Sequence, residues 1–241
     1  MKVEGRNAVR ELILSGQTID KVIIDNGAHD KVLTEIINLL KSKNIKFQFV
    51  KPVVINNESA TKHHQGIIAY TTEFKYSTTE DILDYAKQKN EDPFVLILDG
   101  IEDPHNLGSI MRVCECLGVH GIIIEKMRAC QVNETVIKVS AGASTYVKVA
   151  RVANINNEIE KLKQNGVWVY ACELGGQQLS KTDLKGPIAI VIGSEGKGTG
   201  KLTLKNCDGV VTIPQFGFVN SLNASVATGI VLYEVVRQRK D

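Results

Sequence analysis

The chain has 241 residues, of which 43% are hydrophobic and 23% charged, a length and balance suited to one large or two small globular domains. A net charge of +2 permits a nucleic-acid partner without demanding one. The five cysteines (Cys114, Cys116, Cys130, Cys172, Cys207) are odd in number and form no Cys-x-x-Cys pair, which argues against a disulfide framework or a zinc site and for reduced thiols in a cytoplasmic protein. No apolar run reaches the ~18 residues of a membrane-spanning helix, and Lys2 to Arg6 do not read as a signal peptide.

In chain order, hydrophobic periodicity predicts a helix over 4–14 with Val9, Leu12 and Ile13 on one side. A strand follows at 21–25, then a helix over 30–43 striped by Val32, Ile36, Leu39 and Leu40. Strands at 46–50 and 66–72 complete a small α/β unit. The pair His63-His64 precedes the last of these. Neighbouring residues on a strand face opposite ways and no carboxylate or cysteine joins them, so the pair reads as a loop touching RNA or the other domain rather than a metal site.

Residues 73–92 lose apolar density apart from a modest helix at 79–89, and Pro93 marks a fresh start. The domains are therefore expected at 1–72 and 93–241, with a linker between them. Beyond Pro93 strands are expected at 94–98, 121–126, 147–152, 167–172, 188–192 and 209–213. Helices near 107–117, 134–141, 155–164 and 222–239 separate them. Long apolar strands alternating with helices imply a parallel sheet covered on both faces.

Three stretches carry chemistry. The first, Leu98 to Arg112, ends a buried strand in an acidic turn, with Asn106 placed to cap the next helix. On that helix Leu107, Ile110, Met111, Cys114 and Leu117 form the core face, and Arg112 points roughly the opposite way. Such an arginine is commonly just solvated; at the ligand rim of a sheet, its planar fork of donors suits a phosphate. The second stretch, Gly193-Ser194-Glu195-Gly196-Lys197-Gly198-Thr199-Gly200, sets a carboxylate among glycines that allow close backbone approach. It has neither the spacing of a phosphate-binding P-loop nor that of a dinucleotide fingerprint. In the third, an apolar run ends at Ile213-Pro214, and Ser221 is a candidate N-cap for a helix carrying Leu222, Val226, Ile230 and Tyr233. A polar cluster (Asn220, Ser221, Asn223, Ser225) thus falls at the carboxyl end of a strand, where open α/β sheets bind ligands.

Together these blocks resemble the SpoU-type ribose methyltransferases of the SPOUT superfamily. The matching residues are Asp-Pro-x-Asn-x-Gly-x-x-x-Arg (Asp103 to Arg112), Gly-x-Glu-x-x-Gly (Gly193 to Gly198) and Ile-Pro…Ser-Leu-Asn-x-Ser-x-Ala (Ile213 to Ala227). Ala224 departs from the more usual Val, a small apolar change. The resemblance extends to Glu4-Gly5-Arg6-Asn7-Ala8-Val9 and His64-Gln65-Gly66-Ile67, which are similar to the small RNA-binding domain of the ribosomal-RNA branch.

The resemblance implies a C-terminal trefoil knot, S-adenosylmethionine held there by backbone around Gly193, Ile213 and Leu222, no metal, and a homodimer in which each site borrows from its neighbour. It further implies methyl transfer to a ribose 2′-hydroxyl of a guanosine in 23S ribosomal RNA. Arg112 would fix the adjacent phosphate and stabilise developing charge, since a guanidinium stays protonated and has no spare lone pair to act as a literal base. Asn106 and Asn223 would position the ribose or Arg112, while Ser221 and Glu195 would hold the loop and cofactor. Transfer-RNA methylation, resistance-type ribosomal-RNA methylation and an inactive RNA-binding scaffold are the competing readings. Relatives acting on transfer RNA generally lack a separate N-terminal domain, and the motif residues an inactive scaffold would have lost are all present.

Overall fold

The computed structural model of the protein describes residues 2–15, 18–28, 30–72, 74–218 and 221–240. It divides into two compact units, Met1–Lys75 with Val132–Glu134, and Tyr76–Gln131 with Thr135–Asp241.

In the first unit, strands β1 (Lys2–Glu4), β2 (Ile19–Asp25), β3 (Phe47–Val50) and β4 (Ile67–Thr71) lie in the order β1-β4-β2-β3. Only β2 and β3 run parallel. Helices α1 (Arg6–Ser15) and α2 (Lys31–Ser42) cover one face, where Val9, Leu12, Ile13, Leu33, Ile36 and Leu40 meet Val22, Ile24, Ile67 and Ala69. Of the expected stripe of α2, Ile36 and Leu40 are buried, but Val32 is exposed and Leu33 is buried in the first turn instead. Asp30 is the N-cap, accepting from the Leu33 amide at 3.0 Å. A third helix, α3 (Pro52–Glu58), covers the opposite face with Ile55 alone. Its Val53 and Val54 point outward, so no helical stripe announces it.

The second unit is built on six parallel strands: β5 (Phe94–Asp99), β6 (Gly121–Glu125), β7 (Lys148–Val152), β8 (Trp168–Gln178), β9 (Ile188–Gly193) and β10 (Gly209–Thr212). Their order is β10-β8-β9-β5-β6-β7. Val95, Ile97, Ile123, Val169, Ala189 and Val191 face one core, with Ile82 of α4 (Thr79–Gln88) and Ile155, Ile159 and Leu162 of α7 (Ile155–Gln164). The alternate residues Leu96, Leu98, Ile122, Ile124, Ile190 and Ile192 are also buried, so both faces are covered, as a parallel sheet requires. The segment 73–92, read from sequence as a linker, thus supplies α4, closed by a capping box between Thr78 and Asp81, to this core.

The remaining helices are α5 (Pro104–Cys116), α6 (Glu134–Val139), α8 (Lys201–Asn206) and α9 (Ala224–Lys240). Gly108 of α5 permits close approach to α6, because a Cβ there would sit 2.7 Å from the Val139 Cβ. Gly108→Ala is therefore expected to destabilise the protein by about 1–3 kcal/mol despite its gain in helix propensity. A denaturant titration showing no loss would contradict that packing.

The chain order places the ligand rim. After β5 it steps outward to β6 and β7, whereas β9 pairs on the other side of β5. The switch in direction lies between the carboxyl ends of β5 and β9, where Asp99 is paired with Gly193. Ligands of open α/β sheets bind in that crevice.

Candidate active site

All three sequence motifs converge on one oxygen. Glu195, just beyond β9, accepts through Oε1 from Asn106 Nδ2 at 3.1 Å, Asn223 Nδ2 at 2.8 Å and the Ala224 amide at 3.0 Å. Asn223 Nδ2 also donates to Asn106 Oδ1 at 2.9 Å. The carboxylate stands at the start of α9, where the helix dipole favours negative charge.

This arrangement corrects two capping assignments. Asn106 was expected to cap α5, but Pro104 suits the first helical position, so the helix begins earlier and Asp103 caps it, accepting from the His105 amide at 3.0 Å. Asn106 instead lies inside the helix, buried, with its amide free for Glu195. Likewise α9 is capped by Asn223 rather than Ser221: Asn223 Oδ1 accepts from the amides of Ser225 at 3.0 Å and Val226 at 3.3 Å. Ser225 Oγ adds a third bond to it at 2.6 Å. Ser221 lies two residues ahead of that cap, exposed. Asn220 falls outside the described residues.

The loop bearing Glu195 is held from both sides. The Thr199 amide donates to Glu173 Oε2 at 2.9 Å, and the Gly200 amide donates to Asp99 Oδ2 at 2.9 Å. Gly193 must lack a side chain, since a Cβ would fall 2.2 Å from the Gly198 carbonyl carbon as the loop folds back. Gly198 itself has φ +66, and a Cβ would meet Glu173 Oε2 at 2.3 Å. Sequence reasoning missed Asp99 and Glu173 as loop anchors; the one available signal was that each carboxylate ends an apolar run. Burial raises the Cys172 thiol to about 11, with the Glu173 charge adding to the effect, so this cysteine is no thiolate nucleophile.

Arg112 is exposed on α5, on the side away from Ile110, Met111 and Cys114 as expected, and makes no ion pair or side-chain hydrogen bond among the described residues. Its neighbour Val113 packs on α9, with Cγ1 4.0 Å from where a Cβ of Gly229 would lie. Of the remaining candidate residues, Ile213 is half-buried just after β10, and Leu222 is 36% exposed. The expected stripe of the last helix is the outward one. Thr228, Val231, Leu232 and Val235 are buried, while Val226, Ile230 and Tyr233 are exposed.

At this rim Gly193 and Ile213 are half-buried, and the buried hydroxyl of Thr199 has no partner among the described residues, an orphaned polar atom of the kind a methyl-donor nucleoside would satisfy. Glu195→Ala, which strands three donors, is expected to lower methyl transfer roughly 100-fold through misplacement alone. Glu195→Gln keeps the accepting oxygen and should retain most of the rate. Equally low rates for the two variants would show that charge, not this geometry, matters, and native rates for both would remove Glu195 from the site.

The pattern of the SpoU rRNA Methylase family matches residues 93–233, and that of RNA 2′-O ribose methyltransferase substrate binding matches residues 2–77. A Bacillus subtilis (strain 168) protein, named YacO and assigned by its name to the TrmH family of tRNA/rRNA methyltransferases, is 41% identical over 98% of this chain and 95% of its own. A Staphylococcus saprophyticus relative with the same family name is 42% identical over the same shares. Among solved structures, the SpoU methyltransferase AviRb from Streptomyces viridochromogenes, in complex with AdoMet, aligns with a TM-score of 0.61 at 22% identity over 99% of this chain and 89% of that one. The TrmH/SpoU tRNA modifying enzyme of A. aeolicus aligns with a TM-score of 0.56 at 27% identity, over 62% of this chain and 76% of that one. Carrying both patterns in sequence, and the sheet and converging motifs in structure, the chain belongs to the SpoU rRNA methylase family of RNA methyltransferases.

Proposed function

We propose that this protein transfers a methyl group from S-adenosylmethionine to the ribose 2′-hydroxyl of a guanosine in 23S ribosomal RNA. The observation that carries the reading is the Glu195–Asn106–Asn223 node at the strand-order switch, whose Asn106 lies on the helix that also bears Arg112, a side chain without a partner among the described residues. Backbone at Gly193, Ile213 and Leu222 would hold the cofactor, with the Thr199 hydroxyl as a further polar contact. When bound, it supplies an electrophilic methyl for in-line transfer.

The chain's own residues do the rest. A neutral 2′-hydroxyl is a poor nucleophile, and the negative charge that grows on it needs a partner. Arg112 supplies one, and its planar fork fixes the neighbouring phosphate. Asn106 and Asn223 keep the start of α5 and the start of α9 in register, with Glu195 accepting from both. Ser221, exposed before α9, holds the loop and the cofactor together with Glu195. The 2′-hydroxyl itself makes the reaction specific to RNA.

In this reading the unit matched over residues 2–77 by the substrate-binding pattern recruits the RNA, and its presence supports a ribosomal substrate because relatives acting on transfer RNA generally lack a separate N-terminal domain. Two protomers pair through the exposed apolar stripe of Leu222, Val226, Ile230 and Tyr233, with Phe216 and Phe218 alongside in sequence and almost fully exposed. In this reading the C-terminal segment is threaded as a trefoil knot, and the enzyme works in the cytoplasm with its thiols reduced. Mapping ribose 2′-O-methylation in ribosomal and transfer RNA from cells with and without the gene tests the assignment. Loss of a single 23S guanosine methylation is the expected result; loss of a transfer-RNA methylation instead would overturn it.

A further inference from the structure

The acidic side chains at the carboxyl rim of β9, β5 and β6 are nearly all consumed by backbone amides. Asp99 accepts from Gly200, Asp103 from His105, Glu125 from Ile155 at 3.4 Å, and Glu195 from Ala224. Among the described residues, Glu102 is the one left exposed without such a bond. The cations on the loop after β6 are in the opposite condition. Lys126 and Arg128 are exposed, and among the described residues neither side chain has a hydrogen bond or an ion pair. Those carboxylates keep their charge but are turned back onto the fold by their hydrogen bonds, whereas the two cations are free to reach an anion.

That loop is also held in place. The Cys130 amide donates to the Ile101 carbonyl at 2.7 Å, tying it to the turn after β5. Gln131 Nε2 donates to the carbonyls of Glu125 at 2.8 Å and Ala129 at 3.1 Å, closing it on itself. Arg128 has φ +60, a left-handed conformation that is strained for a side-chain-bearing residue and that glycine would adopt freely. Gly100 lies between this loop and the active site. A Cβ at Gly100 would be 4.0 Å from the Arg128 carbonyl oxygen and 3.6 Å from the Cβ of Ser194, the residue before Glu195. Arg128 is thus a near neighbour of the site, while its side chain takes no part in holding the fold.

We propose that Lys126 and Arg128 form a phosphate clamp that grips the RNA backbone beside the reacting nucleotide. The inference rests on the RNA methyltransferase reading above. Arg128 takes a phosphate through its fork of donors and Lys126 adds a point charge, with Met127 exposed between them. The clamp sets where the strand lies, and Arg112 acts on the ribose within it.

The test uses the full chain and protein-free total ribosomal RNA as probe. Lys126→Ala, Arg128→Ala, the double variant, Arg128→Lys and Arg128→Gly are compared by RNA affinity across a salt series, cofactor calorimetry and thermal melting. Neutralising each phosphate contact is expected to reduce the slope of log affinity against log salt by about 1, and the double variant to bind about tenfold or more weakly at moderate salt. Melting temperature and S-adenosylmethionine affinity should stay unchanged. Arg128→Lys should keep most of the slope. Arg128→Gly, which removes the guanidinium and relieves the backbone, should bind RNA as weakly as Arg128→Ala while melting no lower, and it decides the matter if the double variant misfolds. An unaltered slope and affinity in the double variant, or in both Arg128→Gly and Lys126→Ala, overturns the clamp. Wild-type protein that binds the RNA but methylates no ribose would sink the reaction assignment and leave a slope change standing for the clamp.

Discussion

Arg112→Ala is expected to reduce methyl transfer about 10³-fold or more while leaving S-adenosylmethionine affinity within about twofold, because the charge it would stabilise exists only as the ribose oxygen reacts. The side chain is exposed and makes no bond among the described residues, so its removal disturbs no packing. Arg112→Lys should recover little, since a compact ammonium replaces a planar fork. Single-turnover rates at saturating RNA, with calorimetry for the cofactor, separate chemistry from binding. A lysine variant with near-native rates would show that charge alone suffices and remove the bidentate argument.

Tyr233→Asp is expected to yield a well-folded monomer that has lost nearly all activity and binds S-adenosylmethionine weakly. Tyr233 is 62% exposed, on the same outward stripe as Val226 at 49% and Ile230 at 41%. A carboxylate there costs the single chain little. In a paired surface it would be buried without a partner, a penalty of several kcal/mol. The buried face of α9, carrying Val231, Leu232 and Val235, is untouched, so the fold should persist. Light scattering gives the oligomeric state, and cofactor titration of the same sample shows whether the site depends on the pairing. A monomer with full cofactor affinity would break that dependence, and an unchanged dimer would assign the stripe to another partner.

Most of the architecture was legible because it is written in periodicity. Apolar strands spaced by helices gave the six-stranded parallel sheet, and the range expected for α7 agrees at both ends. What escaped notice was short or one-sided. Strand β1 has three residues and is defined only by pairing with β4, more than sixty positions away. Helix α3 buries one side chain, and α8 is six residues long. The site was legible in membership and not in geometry. Asn106, Glu195 and Asn223 were identifiable by type and motif, but the sharing of one carboxylate oxygen is a tertiary fact. The cap of α5 was misplaced because an asparagine and an aspartate both suit the position, and Pro104 decides between them. For α9, Ser221 and Asn223 competed in the same way, and the side-chain bonds to Ser225 and Val226 decide for Asn223. Glu173 belongs to no motif, Asp99 stands in the first stretch but ahead of its matching residues Asp103 to Arg112, and both act by holding another loop.

The shared oxygen of Glu195 also bears on time. Its partners Asn106 and Ala224 stand 89 and 29 positions away, and Asn106 and Asn223 are separated by 117. Contacts of such separation close slowly, after local helices and neighbouring strands have formed. A chain with its sheet already assembled would therefore still lack a working centre until α9 docks. Once docked, the beginnings of α5 and α9 and the turn after β9 are interlocked, so that loosening one frees the others. The Ala224 amide, held by that oxygen at 3.0 Å, should then exchange its hydrogen in step with Asn106 and Asn223 rather than with the body of its own helix.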